Sequence, residues 1–324
     1  MIGYILRRLL IAIPVLFGVS VINFIIMRMA PGNPVDMLVS PKLPDAAREA
    51  KMIELGLNNP AYIQYWHWLK NLVLNGDLGY SMITYEPVTE LIASRMGPTV
   101  ILMGTALVLG LMIAIPIGIY SATKQYSKLD YTFVTGSFLG ISIPNFFFAL
   151  LLVYIFSIQL NWLPSGGMKE LGSEGSLGSL IWHMILPVTV LVANVAGRNI
   201  RYVRSGMLEI MGQDFLRTAR AKGVKEFFVV NKHALRNALI PIVTIVGLEV
   251  SILFGGAVVI EQIFSWPGIG QLTLSSIMSR DYSTIMGLNL VAAFVVIAAN
   301  ILTDIVYAFV DPRIRKSYVG GGKR

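Results

Sequence analysis

Residues 214–241 read DFLRTARAKGVKEFFVVNKHALRNALIP, the most polar and basic stretch of a chain that is 55% hydrophobic. Residues 198–236 contain nine Lys or Arg residues and three acidic residues, a net charge of +6, whereas the whole chain has a net charge of +8. Long apolar runs lie on both sides of this stretch. A basic loop between apolar runs is typical of the cytoplasmic side of a membrane protein. The stretch therefore predicts a membrane protein and marks one of its loops.

The beginning of this stretch predicts a short helix. Asp214 is a suitable N-cap, because its carboxylate can accept hydrogen bonds from the free amides of the first turn. Gly223 can adopt the left-handed conformation that ends a helix, so we expect about two helical turns between them. An apolar face with a basic rim is predicted by four residues at three- to four-residue spacing: Phe215, Leu216, Ala219 and Lys222. Such a surface between two spans is suited to docking a partner.

The composition of the whole chain indicates an integral membrane protein. Charged residues make up 14% of the 324 residues, and the mean hydropathy is +0.68. In soluble domains about a quarter of the residues are charged. The chain has no cysteine, which excludes disulfides and thiolate metal sites. Because the basic surplus lies beside apolar runs, as membrane topology requires, nucleic-acid binding is set aside.

Apolar runs long enough to cross about 30 Å of hydrocarbon predict transmembrane helices. We expect six spans, at residues 9–27, 99–122, 133–160, 180–197, 238–260 and 285–310. The first run is expected to be retained, because it is longer than the apolar core of a signal peptide. Pro14, Pro116 and Pro144 lie within spans and predict kinks. The fold class is therefore all-α, a polytopic membrane protein with six transmembrane helices.

The distribution of charge predicts the orientation. Four segments have a positive net charge: +2 before the first span, +1 at 123–132, +6 at 198–237 and +4 after 310. The 30–98 region has a net charge of −2. The positive-inside rule then places both termini in the cytoplasm. We divide the chain into an N-terminal end and first span (1–29), an extracytoplasmic region (30–98), a five-span core containing the cytoplasmic loop 198–237 (99–310), and a basic cytoplasmic tail (311–324).

The 30–98 region carries signals for two short helices. Pro44-Asp45 opens a segment that Gly56 can end, and Asn59-Pro60 opens a second that Gly76 can end. The second segment is rich in aromatic residues, which suits either the lipid headgroup layer or a small extramembrane core: Tyr62, Tyr65, Trp66 and Trp68.

Two further features lie near the last two spans. Glu249 is near the middle of the fifth span, where an isolated carboxylate is costly, so it either lines a pathway or is hydrogen-bonded within the protein. Asp304, in the sixth span, is expected to be structural. The 261–283 segment turns at Pro267-Gly268 among apolar residues, which favours a loop that dips toward the membrane. An interfacial helix with aromatic anchors is the alternative.

Several strings resemble the permease subunits of ATP-binding-cassette (ABC) importers, and most of all the dipeptide, oligopeptide and nickel branch. The general pattern of that family has Glu-Ala-Ala, three residues and then Gly; this chain has Arg217-Thr218-Ala219 before Gly223. The strings occur in family order over nearly the whole chain: YILRR at 4–8, DLGYS at 77–81, RTARAKG at 217–223 with HALRNALIP at 233–241, and EQIFSWPGIG at 261–270.

The resemblance implies a type I ABC importer permease fold in a bacterial or archaeal plasma membrane. It implies four kinds of partner: a homologous second permease, two ABC ATPase subunits that bind ATP and Mg²⁺, an extracytoplasmic substrate-binding protein, and the lipid bilayer. The ATPases would dock on Phe215, Leu216, Arg217, Thr218, Ala219, Ala221, Lys222 and Gly223. An external re-entrant loop would contain Glu261, Phe264, Trp266, Pro267 and Gly268.

The sequence also limits the function. No Gly-x4-Gly-Lys-Ser/Thr phosphate loop occurs, so we expect no ATPase activity in this chain. The three histidines, His67, His183 and His233, lack metal-ligand spacing and no catalytic constellation is present, so we expect no other enzyme activity and no cofactor. The resemblance implies transport of di- or oligopeptides, with nickel or a nickel chelate as the alternative. A self-contained secondary transporter or channel is the second alternative, but no internal repeat supports it. A peptide needs a mostly neutral passage with scattered hydrogen-bonding groups, and the candidates are Asn145, Asn194, Ser251 and Glu249.

Overall fold

A computed structural model describes residues 2–29, 35, 45–54, 56–170, 172 and 176–310. The predicted tail at 311–324 and most of residues 30–44 lie outside the described residues. Within the described part, the fold consists of helices joined by turns. This part of the chain contains no β-sheet, and its β-pairing is limited to one isolated bridge between Tyr80 and Pro87. The predicted all-α class is therefore confirmed.

The helices are numbered here in chain order. They are α1 (Ile2–Met29), α2 (Asp45–Glu54), α3 (Ala61–Asn75), α4 (Val88–Thr123), α5 (Lys128–Ser142), α6 (Asn145–Leu152), α7 (Leu177–Met211), α8 (Asp214–Ala221), α9 (Glu226–Phe228), α10 (Leu235–Ile263), α11 (Ile269–Ser279) and α12 (Tyr282–Val310). A π-helical segment, Val153–Gln159, follows α6, and a second, Val229–Ala234, joins α9 to α10.

Four helices of the described part, α1, α4, α7 and α12, are long and apolar enough to cross a membrane. They contain the spans predicted at 9–27, 99–122, 180–197 and 285–310. The span predicted at 238–260 lies within α10, but the side chains of residues 239–246 lie outside the described part. A membrane-spanning helical fold is therefore confirmed, and the count of six spans stays a prediction.

The span predicted at 133–160 is not one continuous helix, so that prediction is wrong in shape. α5 ends at Ser142, and α6 begins at Asn145, with a bend of 97° between the two helical stretches. Ile143 and Pro144 are both extended, with ψ angles of 122° and 134°. Proline disfavours the helical conformation of the residue before it and lacks the N–H of a helical hydrogen bond. The kink predicted at Pro144 is therefore a complete break.

The fourth span also differs from its predicted bounds, because α7 does not end at Gly197 but continues to Met211. The first part of the predicted loop 198–237, residues 198–211, thus continues this helix. Arg is a good helix former, and two arginines of this extension are paired with carboxylates of neighbouring helices. These ion pairs allow a charged sequence to continue as a packed helix.

Contacts divide the chain into two compact units, one built mainly from Val100–Trp266 and the other from Arg7–Thr99 and Pro267–Ile297. In the first unit, α4 packs closely against α7 through small residues. A Cβ atom at Gly110 would lie 2.6 Å from Val195, and one at Gly118 would lie 2.6 Å from Val203. Ala114, midway between the two glycines, is fully buried. This small-xxx-small spacing permits the close backbone approach used by membrane helices.

In the second unit, α3 packs against the C-terminal half of α1. The Tyr65 ring lies 5.4 Å from Phe24 and 6.0 Å from Trp68, centroid to centroid, and its hydroxyl is 2.8 Å from the Ser20 hydroxyl. On the same helix, Tyr62 and Trp66 are exposed. Packing of Tyr65 against α1 supports the small extramembrane core, and contact of the exposed Tyr62 and Trp66 with the lipid headgroup layer stays a prediction.

Both helices predicted in the 30–98 region are confirmed. α2 and α3 occupy the predicted segments, and α3 begins directly after Pro60. The glycines that follow them, Gly56 and Gly76, have φ angles of +67° and +65°. These are the left-handed conformations that end helices.

Candidate coupling surface and polar stripe

α8 is the two-turn helix predicted from the sequence, and Gly223 beyond its end has a φ of +77°. The predicted N-cap is wrong by one residue. Gln213 is the capping residue, and Asp214 is the first residue of the helix. A carboxylate within the first turn still interacts favourably with the helix dipole, and Asp214 also contacts Arg217 at 3.5 Å.

Leu216 anchors α8 to the body of its unit. The side chain is fully buried and belongs to a cluster with residues of α7 and of the π-helical segment before α10. Ala219 packs against the same cluster. The prediction that Leu216 belongs to a docking face is therefore wrong: the predicted stripe divides, with Leu216 and Ala219 directed inward and Phe215 and Lys222 exposed. Burial of a leucine side chain contributes about 2 kcal/mol, which holds this short helix in place.

The outward side of α8 is exposed and basic. We call it the coupling face, and it consists of Phe215, Arg217, Thr218, Ala221 and Lys222. Phe215 retains 44% of its accessible surface although it is a large apolar side chain outside the apolar spans. Aromatic residues and arginine are enriched in protein interfaces, so this combination suits a docking surface.

An ion pair closes the turn after α8. Arg220 donates to both carboxylate oxygens of Glu226, at 3.0 and 2.9 Å. These hydrogen bonds, together with the charge of the guanidinium, hold the pKa of Glu226 below its ordinary value of 4.5. The same contact raises the pKa of Arg220. The pair therefore links the C-terminal end of α8 to the start of α9 across the left-handed Gly223.

Two aromatic residues beside the coupling face escaped the sequence analysis. Phe227 and Phe228 are 69% and 50% exposed, and their rings are in edge-to-face contact with centroids 5.6 Å apart. The signal that would have identified them is an aromatic pair in an otherwise charged loop. They add exposed apolar surface to the segment that follows α8.

Glu249 is buried and hydrogen-bonded. Its carboxylate, 1% exposed, accepts from Nε and Nη2 of Arg198 at 3.1 and 2.8 Å, and from Nδ2 of Asn199 at 3.0 Å. This geometry supports the structural alternative of the two predicted for Glu249. The sequence analysis missed Arg198 as its partner because it placed Arg198 outside the span.

A second buried carboxylate is paired in the same way. Arg204 of α7 donates from Nε and Nη2 to the two oxygens of Asp130, both at 2.9 Å, and Asp130 also accepts from the backbone N–H of Tyr126. The pair ties the start of α5 to α7. Spacing in the sequence could not reveal it, because 74 residues separate the partners.

The other polar candidates lie on α6, α7 and α10. Asn194 Nδ2 donates to Asn145 Oδ1 at 2.9 Å, and both side chains are half-buried. The structure thus brings these two predicted residues together. Ser251 is half-buried on α10. Whether these residues line a pathway stays a prediction.

Comparison with known proteins identifies the family. A family model described as a binding-protein-dependent transport system inner membrane component matches residues 114–316, and the corresponding N-terminal model matches residues 1–103. The chain belongs to this family of transport permeases.

Relatives of the permease match it over almost its full length. It is 47% identical to the oligopeptide transport system permease protein AppB of Bacillus subtilis, over 97% of this chain and 99% of that protein. It is 45% identical to a putative peptide permease protein of Brucella suis and 40% identical to the glutathione transport system permease protein GsiC of Escherichia coli, with the same coverage.

Solved structures confirm the fold. The permease superposes on an inward-facing structure of the MetNI methionine ABC transporter with a TM-score of 0.57 at 16% identity, covering 69% of this chain and 97% of that one. The likeness extends to the fold alone. It supports the predicted type I permease fold of an ABC importer.

The predicted external turn of the permease is tightly packed. Phe264 and Trp266 are buried in the core of the first unit, together with residues of α4, α6 and α7. The Phe264 carbonyl accepts from the Gly167 N–H at 2.7 Å, and a Cβ at Gly166 would lie 2.7 Å from the same oxygen. Burial of both rings argues against the alternative in which they are interfacial anchors. Glu261 is also buried, and Pro267 and Gly268 lead into α11.

The DLGYS string of the permease has a structural role. Ser81 and Thr284 donate through their hydroxyls to Asp281, which is buried and also accepts from the N–H of Met82. Gly79, with a φ of +89°, donates to the carboxylate of Asp77. The string therefore ties the segment before α4 to the start of α12. Within the described residues, no group of three His, Cys, Asp or Glu is arranged to hold a metal ion.

Proposed function

We propose that this permease forms half of the translocation pathway of an ATP-driven importer for di- and oligopeptides. The observation that carries the coupling part is α8, a two-turn helix with a buried Leu216 beneath an exposed basic face. Relatives named for oligopeptide, peptide and glutathione transport, similar over 97% of the chain, support the cargo class.

In this proposal two ABC ATPase subunits bind ATP and Mg²⁺, and the permease itself is a transport component without enzyme activity. Closure of the ATPases moves α8, and Leu216 passes the displacement to α7 and to the π-helical segment beside it. The spans then switch between outward and inward openings. ATP shifts this equilibrium only by its differential affinity for the two states.

The assembly contains a homologous second permease and an extracytoplasmic binding protein that delivers cargo to the 30–98 region. We place the complex in a bacterial or archaeal plasma membrane, with both termini in the cytoplasm. The orientation is testable because the chain has no cysteine. Lys169 and Lys225 are both exposed. A cysteine at position 169 should react with an impermeant thiol reagent added outside intact cells, and one at 225 should not; labelling at 225 would contradict the orientation.

A peptide cargo fits the polar groups of the first unit. The charge of Glu249 is neutralised by Arg198, which leaves neutral amides such as Asn145 and Asn194 at half-buried positions. Neutral hydrogen-bonding groups bind a peptide backbone without selecting one side chain. They also differ from the imidazole ligands that a bare nickel ion prefers.

The test is uptake by the complete complex, purified from a native membrane with its own binding protein and reconstituted in liposomes. We expect saturable, ATP-dependent uptake of a labelled dipeptide or oligopeptide, with competition from unlabelled peptides. Liposomes containing the ADP-loaded complex serve as the control. Saturable nickel uptake without competition from peptides would overturn the cargo assignment.

A further inference from the structure

Three arginines lie one turn apart on α7, and two of them are paired with carboxylates. Arg198 binds Glu249 and Arg204 binds Asp130, each through Nε and Nη2. Arg201, between them, stacks on the Phe138 ring with its guanidinium carbon 4.9 Å from the centroid. Its Nε is buried and, within the part of the chain that the structure describes, has no acceptor.

The contact with Phe138 does not supply the acceptor that the buried Nε–H of Arg201 lacks. A ring face attracts the cation but accepts none of its N–H groups as a carboxylate does. A planar guanidinium is suited to binding a carboxylate through two parallel hydrogen bonds. Buried donors without acceptors are rare and call for an explanation. A ligand that brings a carboxylate would supply one.

Arg201 belongs to a polar stripe along α7. Asn194, Arg198 and Arg201 are spaced i, i+4 and i+7, which places them on one side of the helix. The Asn194 amide donates to Asn145, which leaves the Asn194 oxygen and the Asn145 NH₂ group as one acceptor and one donor. A peptide bond offers the complementary pair of groups.

The length of the stripe fits a short peptide. Seven residues of helix separate Asn194 from Arg201, a rise of about 10 Å. An extended peptide covers about 10 Å in three residues. A di- or tripeptide could therefore place its backbone at the amide pair and its terminal carboxylate at the guanidinium.

We propose that Arg201 binds the C-terminal carboxylate of the peptide cargo while the amide pair of Asn145 and Asn194 binds its backbone. This inference rests on the proposed function, because it assigns a subsite to the same pathway. It makes Arg201 a specificity-determining residue, one that favours short peptides with a free C-terminus.

The experiment compares trialanine with trialanine amide as cargo for the reconstituted complex, each delivered by saturating loaded binding protein. Uptake in a single ATP-driven turnover is measured. The wild-type complex should take up the free acid on the order of tenfold faster than the amide, as expected for a charge-assisted hydrogen bond. Arg201→Gln should slow the acid and leave the amide unchanged. Arg201→Lys, which keeps the charge but not the planar fork, should give an intermediate ratio.

Lys124→Gln is the matched control, because it removes one exposed positive charge near the start of α5. Its acid-to-amide ratio should equal that of the wild type. Uptake of the amide reports whether Arg201→Gln is assembled. Equal slowing of both peptides would indicate a structural contact or a pair with another subunit, and unchanged uptake of both would indicate a lipid contact; either result overturns the inference and leaves the proposed function intact. Uptake of neither peptide by the wild type would overturn both.

Discussion

Arg198 donates hydrogen bonds to both carboxylate oxygens of Glu249, at 3.1 and 2.8 Å, and so joins α7 to α10. The carboxylate is 1% exposed, whereas the arginine side chain retains 22% of its accessible surface. The pair thus places one charge in the interior and the other at its edge. Taking a charge out of water is costly, so each of these two charges is stable in the protein only when the other compensates it.

Removing one partner of this pair should destabilise the permease more than removing both. Glu249→Leu leaves the arginine without its partner and should cost about 3–5 kcal/mol, whereas Glu249→Leu with Arg198→Met should recover part of that loss. The measurement is the thermal unfolding midpoint in detergent for both single variants and the double variant. Additive losses would show that the two residues do not interact.

The contact between α4 and α7 makes a prediction about two glycines of one helix. A Cβ at Gly118 would lie 2.6 Å from Val203 and 3.0 Å from the carbonyl of Ile200, so Gly118→Ala should destabilise by about 1–3 kcal/mol. A Cβ at Gly104 would meet nothing within 4 Å. Gly104→Ala should therefore keep or raise the unfolding midpoint, because alanine is the better helix former. Equal effects of the two substitutions would contradict the packing.

The conformation of Gly223 makes a prediction about coupling. Space is open around a Cβ at this position, so only the φ of +77° restricts the residue. Gly223→Val should be strained by roughly 1–2 kcal/mol and displace the end of α8, whereas asparagine tolerates the left-handed region. We expect Gly223→Val to lower the peptides transported per ATP hydrolysed, and Gly223→Asn to preserve this ratio. Normal coupling in Gly223→Val would argue that the segment is a passive connection.

The pair of Arg220 and Glu226 predicts a dependence on pH. The pKa of Glu226 is lower in the folded loop than its ordinary value of 4.5. The ion pair therefore stabilises the folded loop fully above about pH 4.5, and this stabilisation is lost as the pH falls through the lowered pKa. The carboxylate is 58% exposed, so the effect should be about 0.5 kcal/mol or less. Hydrogen exchange at the Gly223 and Val224 amides, compared with Glu226→Gln, measures it. The wild-type advantage should disappear in acid; an advantage that persists would point to another contact.

Local signals predicted much of the fold. Long apolar runs gave four helices able to cross a membrane, and the glycines at 56, 76 and 223 marked helix ends correctly. These features depend on residues near one another in the chain. The packing of α4 on α7 was not predicted, although the four-residue spacing of Gly110, Ala114 and Gly118 is a local signal for it.

The remaining features depend on contacts between distant residues. The extension of α7 to Met211 could not be predicted, because the partners of Arg198 and Arg204 lie on other helices. The inward direction of Leu216 depends on a cluster that includes Val229 and Val230. Sequence spacing defines a helix face but not which neighbour covers it, and this explains why the docking face was assigned partly to buried residues.

The most direct test of the account is site-specific cross-linking at Phe215 in the purified importer. A cysteine at this 44% exposed position of α8 should cross-link to an ATPase subunit in a nucleotide-dependent manner. A cysteine at Phe146, which is 52% exposed on α6, serves as the control and should give no such product. Cross-linking of position 215 to the ATPase alone would support docking on the coupling face. The absence of that product, with the binding protein or lipid as the only partner, would contradict the central claim.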